Sequence, residues 1–291
     1  MPDMDDWNHS SLLGGEMTTE VVVHSRTSAF QRISVIEIGQ RRILQFEKTR
    51  QSSMYLDSPF ETDFEYPGFF HVALAIRSDA ARTLMIGLGG GTAAKRMWRD
   101  YPAMQIDAVE IDPEVVAVAR EYFELPDDPR IRVIVDDGRH FIETTPERYD
   151  IVIVDAFHDD QIPPPLTTEE FFWALRAHMA EDGVVAYNII GSLLGDHSKT
   201  FRSLHRTLRN TFRRVWVFNA DEGVDAKGNN LVVIASDTAL TTDELRERIA
   251  TRVDGLVSVP GFDRFGENLY EGPIRSGDVP ILSDPHTGKR G

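Results

Sequence analysis

The chain has 291 residues, 41% of them hydrophobic, which is enough for one large core with a small appended domain. A formal net charge of −16 argues against a nucleic-acid partner, which needs a basic face, and suits a cationic ligand. The absence of cysteine excludes disulfides, thiolate catalysis and cysteine-ligated metals, and no apolar run approaches the ~20 residues that span a membrane.

Residues 1–18 are polar and read as a flexible tail. Their acidic start is no signal peptide, so a cytoplasmic protein is expected. From 19 to 60 the pattern is β-rich: Val21-Val22-Val23, then Ile33 to Ile38, a Gly39-Gln40 turn, and Arg42 to Phe46. Short alternating runs around a glycine turn predict a small β-hairpin domain. Phe70, Leu74 and Ala75 fall at helical spacing and predict a helix over 69–80. His71 near its start, and Tyr66 just before it, are candidate substrate contacts, although both residue types pack more often than they bind. From 61 to 255, apolar strands alternate with amphipathic helices, the mark of a doubly wound α/β sheet. Residues 256–291 carry glycine, proline and charge without a helical period and read as an irregular tail.

The chain is organised around Arg82 to Pro113. An apolar strand (Thr83 to Ile86) opens into Gly87-Leu88-Gly89-Gly90-Gly91-Thr92, then a helix, then a strand ending Val109-Glu110-Ile111-Asp112-Pro113. Such a turn lets backbone amides at a helix N-terminus approach a ligand closely. Glu110 lies 19 residues beyond Gly91, where a carboxylate can take both hydroxyls of a ribose. Gly87, Gly89 and Gly91 fit the turn of enzymes that bind an adenosyl sulfonium. A dinucleotide fingerprint would want glycine or alanine where Thr92 stands.

Ligands of open α/β sheets sit outside the carboxyl ends of the strands. Glu110, Asp112, Asp137 and Asp155 stand at such ends, although strand-end acids also cap helices. Asp137-Gly138 suits the adenine end. Asp155 ends the strand expected beside the cradle strand and faces the reacting end of the ligand. The acidic, proline-stiffened loop from Ala156 to Pro165 can cover a substrate and brings His158 and Asp159 near it.

These residues together resemble the spermidine synthase family of polyamine aminopropyltransferases, in its divergent bacterial form. The resemblance runs from about Ser28 to Ser236. It rests on Ser28-Ala29-Phe30-Gln31-Arg32-Ile33, Gln51, the glycine turn, Val109 to Pro113, Asp136-Asp137-Gly138-Arg139, Tyr149 to Asp155 and Gly228-Asn229-Asn230. It implies a small antiparallel β domain before a seven-stranded, Rossmann-like sheet of the class I S-adenosylmethionine methyltransferase type, in a homodimer or larger assembly. It implies that Gln51, Glu110, Asp137 and Gly138 hold the adenosine part of the donor and that Asp155 is the catalytic acid. The reaction implied moves an aminopropyl group from decarboxylated S-adenosylmethionine to a polyamine such as putrescine, with no metal.

The chain departs from that pattern in three places. Thr92 replaces an aspartate that holds the donor's free ammonium, Tyr66-Pro67-Gly68 lacks an acceptor-binding acid, and Asp155 is followed three residues later by His158 rather than aspartate. A methyltransferase using intact S-adenosylmethionine, and a non-catalytic nucleoside-binding protein, therefore stand as alternatives.

Overall fold

The structure is a computed structural model that describes residues 12–13, 16–17, 19–157, 161–221, 228–251 and 258–285. Most of the expected N-terminal tail, together with His158 and Asp159, lies outside the described residues. Two two-residue strands, Leu12–Leu13 and Glu16–Met17, pair antiparallel ahead of the first sheet.

That sheet has four antiparallel strands in sequential order: β1 (Glu20–Thr27), β2 (Arg32–Ile38), β3 (Arg41–Phe46) and β4 (Thr49–Tyr55). The expected hairpin is thus half of a meander. Strand β4 carries the polar run Thr49-Arg50-Gln51-Ser52-Ser53 and shows no alternation; pairing with β3, not hydrophobic pattern, makes it a strand. Ile33, Val35, Leu44, Phe46 and Met54 pack against Val115, Val118 and Phe123 of the larger domain. This contact fixes β4 beside the glycine turn. Buried Lys95 reinforces it by donating to the Pro59 carbonyl at 2.7 Å and the Phe123 carbonyl at 2.6 Å. Burial lowers the Lys95 ammonium to about 8.

A single helix was expected over 69–80. Two short ones form instead, α1 (Tyr66–Phe69) and α2 (Val72–Ile76). Pro67 opens α1, and the chain is buried from Pro67 to Ile76, so packing rather than amphipathic periodicity sets this segment.

The main sheet follows: β5 (Arg82–Ile86), α3 (Thr92–Asp100), β6 (Gln105–Glu110), α4 (Pro113–Tyr122), β7 (Ile131–Val135), α5 (Gly138–Thr144), β8 (Tyr149–Val154), α6 (Glu169–Ala177), β9 (Met179–Gly191), α7 (Lys199–Thr211), β10 (Arg214–Asn219), β11 (Asn229–Ser236) and α8 (Thr242–Thr251). The seven strands lie in the order β10-β11-β9-β8-β5-β6-β7, and β11 runs antiparallel to both neighbours. Strand β8 is buried on both faces: Ile151 and Ile153 enter one core layer, Val152 and Val154 the other. The order reverses between β5 and β8, so the crevice at their carboxyl ends is the topological switch point.

The C-terminal tail is not loose across its described part. Phe262–Asn268 forms a 3-10 turn, with Phe262 and Leu269 in the core. Beyond it, the Arg139 side chain donates to Asp284 at 2.9 Å and to the N-cap hydroxyl of α6, Thr168, at 3.1 Å. The Glu169 amide donates to the Leu282 carbonyl at 2.9 Å. Polar side chains tie this segment down, which is why hydrophobic period does not reveal it.

Candidate active site

A cavity of about 300 Å³ opens at the switch point, a volume in the range of small-ligand sites. Gln51, Tyr66, Gly87, Gly89, Glu110, Asp137, Gly138 and Asp155 all line it. Eight of the residues singled out in the sequence therefore come together from seven different elements or loops.

The glycine turn is built by close approach. Gly87 has φ +94°, and a Cβ there would lie 2.2 Å from the Asp155 carbonyl oxygen. The backbone of the turn and that of the acid thus touch across adjacent strands, and the Asp155 amide donates to the Ile86 carbonyl at 2.9 Å. Gly89 and Gly91 also take positive φ, +52° and +71°. Gly91 caps α3 against Leu125 and does not line the cavity.

Glu110 is buried at the end of β6. Its Oε2 accepts from the Leu88 amide at 3.0 Å and its Oε1 from the Asp112 amide at 3.1 Å. Each carboxylate oxygen keeps acceptor capacity toward the cavity. Burial raises its pKa, and the backbone donors oppose that rise. Asp137 caps α5 through the His140 amide at 2.9 Å and still lines the cavity. A Cβ at Gly138 would lie 2.4 Å from the Ile86 methyl, so only glycine lets α5 start against the cradle strand.

Asp112, the remaining strand-end acid, does not line the cavity. It caps α4 through the Glu114 amide at 3.0 Å and accepts from the Ser28 hydroxyl at 2.5 Å. That second bond pulls the β1–β2 loop down, bringing Phe30 and Gln31 to the cavity wall. Neither was singled out as a contact, since nothing local marks a loop residue that reaches the site from another sheet. Ser52 was also missed. Its hydroxyl accepts from the Gly90 amide at 2.9 Å, which links β4 to the turn.

Asp155 is the chemically distinctive group. Its Oδ1 accepts from the Asn188 side-chain amide at 3.0 Å and its Oδ2 from the Tyr66 hydroxyl at 3.2 Å. Burial raises its pKa to about 6, with both donors pulling the other way. Burial, with the charges of Asp155 and Asp221 behind it, holds the Tyr66 hydroxyl well above the ordinary phenol range, so Tyr66 stays a donor. A smaller pocket adjoins the main one behind Asp155. Thr92 and Tyr66 line it, and Asp155 is its only acid among the described residues. His71 does not join the site: it is buried with Nδ1 2.9 Å from the Tyr101 hydroxyl, and lines neither pocket. Among the described residues no group of three or more His, Asp or Glu is placed to hold a metal ion, and no helix is long and apolar enough to cross a membrane.

A doubly wound seven-stranded sheet, with a glycine turn and strand-end acids around a switch-point cavity, defines the Rossmann-like fold of methyltransferases and spermidine synthases. The family described as Spermine/spermidine synthase domain matches residues 67–220, and the chain belongs to that family. A polyamine aminopropyltransferase of Vibrio vulnificus (strain CMCP6) is 32% identical over 193 residues, covering 63% of this chain and 64% of that relative. A probable spermidine synthase of Corynebacterium glutamicum (ATCC 13032) superposes with a TM-score of 0.67 at 22% identity, over 90% of this chain and 99% of that one. A spermidine synthase in complex with the transition-state analogue AdoDATO superposes with a TM-score of 0.66 at 20% identity, over 81% of this chain and 79% of that one. The chain spans about a quarter to two thirds of the length of several curated relatives it matches.

Proposed function

We propose that the protein is an aminopropyltransferase that moves the aminopropyl group of decarboxylated S-adenosylmethionine onto an amine acceptor, as a cytoplasmic enzyme. The observation that carries this reading is Asp155, a half-buried carboxylate whose pKa is raised to about 6, fixed by Tyr66 and Asn188 where the two pockets meet. The cavity suits the nucleoside. Glu110 presents acceptors to the ribose hydroxyls, Asp137 and Gly138 border the adenine end, and Gln51 closes the β4 side. The sulfonium supplies an electrophilic carbon and a neutral thioether leaving group. The chain must then provide alignment and a neutral amine. An amine of pKa ~10.4 is almost wholly protonated at neutral pH, and freeing it costs about 4 kcal/mol. Asp155, ionised above about 6, orients the ammonium and takes its proton as nitrogen attacks carbon and the carbon–sulfur bond breaks. Its membership of the spermine/spermidine synthase domain family supports this reading. The test is product analysis after incubation with putrescine and either donor. Methylthioadenosine and an aminopropylated amine from the decarboxylated donor are expected. S-adenosylhomocysteine from the intact donor instead would make the protein a methyltransferase.

Thr92 sets how sharply the two donors are told apart. It is buried in the smaller pocket beside Asp155, and its hydroxyl lies 3.5 Å from the Ser53 carbonyl. A carboxylate there would attract the lone ammonium of the decarboxylated tail and repel the carboxylate of the intact one. Thr92→Asp is expected to shift the ratio of the two dissociation constants toward the decarboxylated donor by about 1–3 kcal/mol. Calorimetric titration of both donors checks it, and an unchanged ratio would mean that residue 92 does not face the donor tail.

A further inference from the structure

One wall of the cavity is a run of prolines, and prolines are hard to hold in place. Pro163, Pro165 and Leu166 line the cavity. Pro163-Pro164-Pro165 carry no backbone N–H, so their main chain can hydrogen-bond only through its carbonyls. Two of those carbonyls serve the local turn: Pro163 accepts from the Leu166 amide at 2.9 Å and Pro164 from the Thr167 amide at 3.0 Å. Among the described residues, two side chains reach the wall from the rest of the molecule. Buried Tyr187 donates its hydroxyl to the Leu166 carbonyl at 2.8 Å, and Arg139 donates to the Pro165 carbonyl at 3.2 Å. The Leu166 side chain is also packed in the core, whereas Pro165 is exposed, so at Pro165 the Arg139 bond is the hold.

The C-terminal segment aims Arg139. This residue follows Gly138 in the first turn of α5, and its guanidinium is spread over three directions. Nε goes to Glu143, one terminal nitrogen to the Pro165 carbonyl and to the Thr168 hydroxyl at 3.1 Å, and the other to Asp284 at 2.9 Å. Glu143 lies one turn along the same helix and is half exposed, so that pair alone leaves the fork free to turn. Asp284 comes from a segment pinned independently. Arg202 of α7 pairs with Asp278 and donates to the Arg275 carbonyl at 2.7 Å. The Leu282 amide donates to the Thr207 hydroxyl at 3.0 Å, and the Asp284 amide to Glu170 at 2.9 Å. The strap from Arg275 to Asp284 thus crosses α7 and α6 and delivers a carboxylate to the residue that holds the wall. Neither Arg139 nor Asp284 lines the cavity.

We propose that Asp284 is a positioning residue of the donor site: it holds Arg139, Arg139 holds the Pro165 carbonyl, and the proline wall keeps the shape that receives the nucleoside. That role rests on the nucleoside part of the aminopropyl-transfer reading. Without Asp284 the guanidinium turns to Glu143 and Pro165 loses its hold. The donor must then order the wall as it binds, and affinity falls by the cost of that ordering.

Calorimetric titration of methylthioadenosine is expected to show about five- to tenfold weaker binding to Asp284→Ala than to wild type. Asp284→Asn keeps one acceptor for Arg139 and should fall in between. Asp278→Ala is the control: it loosens the same strap at Arg202, away from the wall, and should lower the melting temperature without changing that affinity. In an Arg139→Gln background, Asp284→Ala should cost no further affinity, because it acts through Arg139. Amide hydrogen exchange at Leu166 and Thr167 in ligand-free protein reads the wall directly, and should be about tenfold faster in Asp284→Ala. Wild-type affinity in Asp284→Ala, or unchanged exchange at the two amides, overturns the proposal. Equal weakening by Asp278→Ala also overturns it, since the strap would then be a structural tie only. A wild type that binds no methylthioadenosine sinks the nucleoside reading, while faster exchange in Asp284→Ala would still show Asp284 holding the wall.

Discussion

Asp155→Asn is expected to lower aminopropyl transfer by about a hundred- to ten-thousand-fold while methylthioadenosine binds nearly as before. Asparagine keeps the bond to Tyr66 and the shape of the side chain, yet it cannot hold an ammonium or accept its proton. The pH profile separates this from a structural loss. Asp155 has a raised pKa of about 6, so it is protonated and inactive below that value and ionised above it. Wild-type kcat/KM should therefore climb through about pH 6 and then level, because the proton of the bound ammonium passes to the carboxylate. In the variant that step disappears. Its rate should follow the free amine and rise about tenfold per pH unit toward the amine pKa of ~10.4. A variant with wild-type turnover, or with the same break near pH 6, would make Asp155 structural.

Gly87→Ala is expected to cost on the order of 3 kcal/mol of stability and to abolish tight nucleoside binding. Two terms add. An L-residue at φ +94° is strained, and its Cβ would stand 2.2 Å from the Asp155 carbonyl oxygen, a backbone atom that cannot swing aside. The end of β8 must move, and Asp155 moves with it. For a chain of this size that corresponds to a fall of about 5–10 °C in melting temperature. Thermal unfolding, followed by titration with methylthioadenosine, reads both effects. An unchanged melting temperature would show that the turn and the acid are not packed together.

The central sheet was legible because its strands are continuous apolar runs, and because Gly87, Gly89 and Gly91 sit between a strand and a helix. Glu110, Asp137 and Asp155 were legible for a related reason: chain order puts them at strand ends, and strand ends in a doubly wound sheet converge. Contributions from outside that logic were not. Ser52 lies on a strand with no hydrophobic alternation, and its bond to the Gly90 amide depends on how one sheet docks on another. Phe30 and Gln31 reach the cavity through the Ser28–Asp112 bond, a contact between residues 84 apart. Asn188 lies in the buried run near the carboxyl end of β9, where period gives no hint that its amide holds Asp155. His71 illustrates the opposite case. Its position just ahead of a helix suggested a pocket residue, but the break between α1 and α2 turns it inward to Tyr101.

The contact between the Gly87 turn and the Asp155 backbone also has a thermodynamic side. On the proposed reading the turn borders the nucleoside and the acid faces the amine, and at Gly87 the backbones of the two pack directly together. A shift of the turn when the donor settles must therefore re-aim the carboxylate that meets the acceptor. Linkage makes the effect mutual: whatever factor the nucleoside adds to amine affinity, the amine adds to nucleoside affinity. Two substrates proposed to bind on either side of that backbone contact are thereby coupled, and the glycine contributes to the stiffness of that coupling.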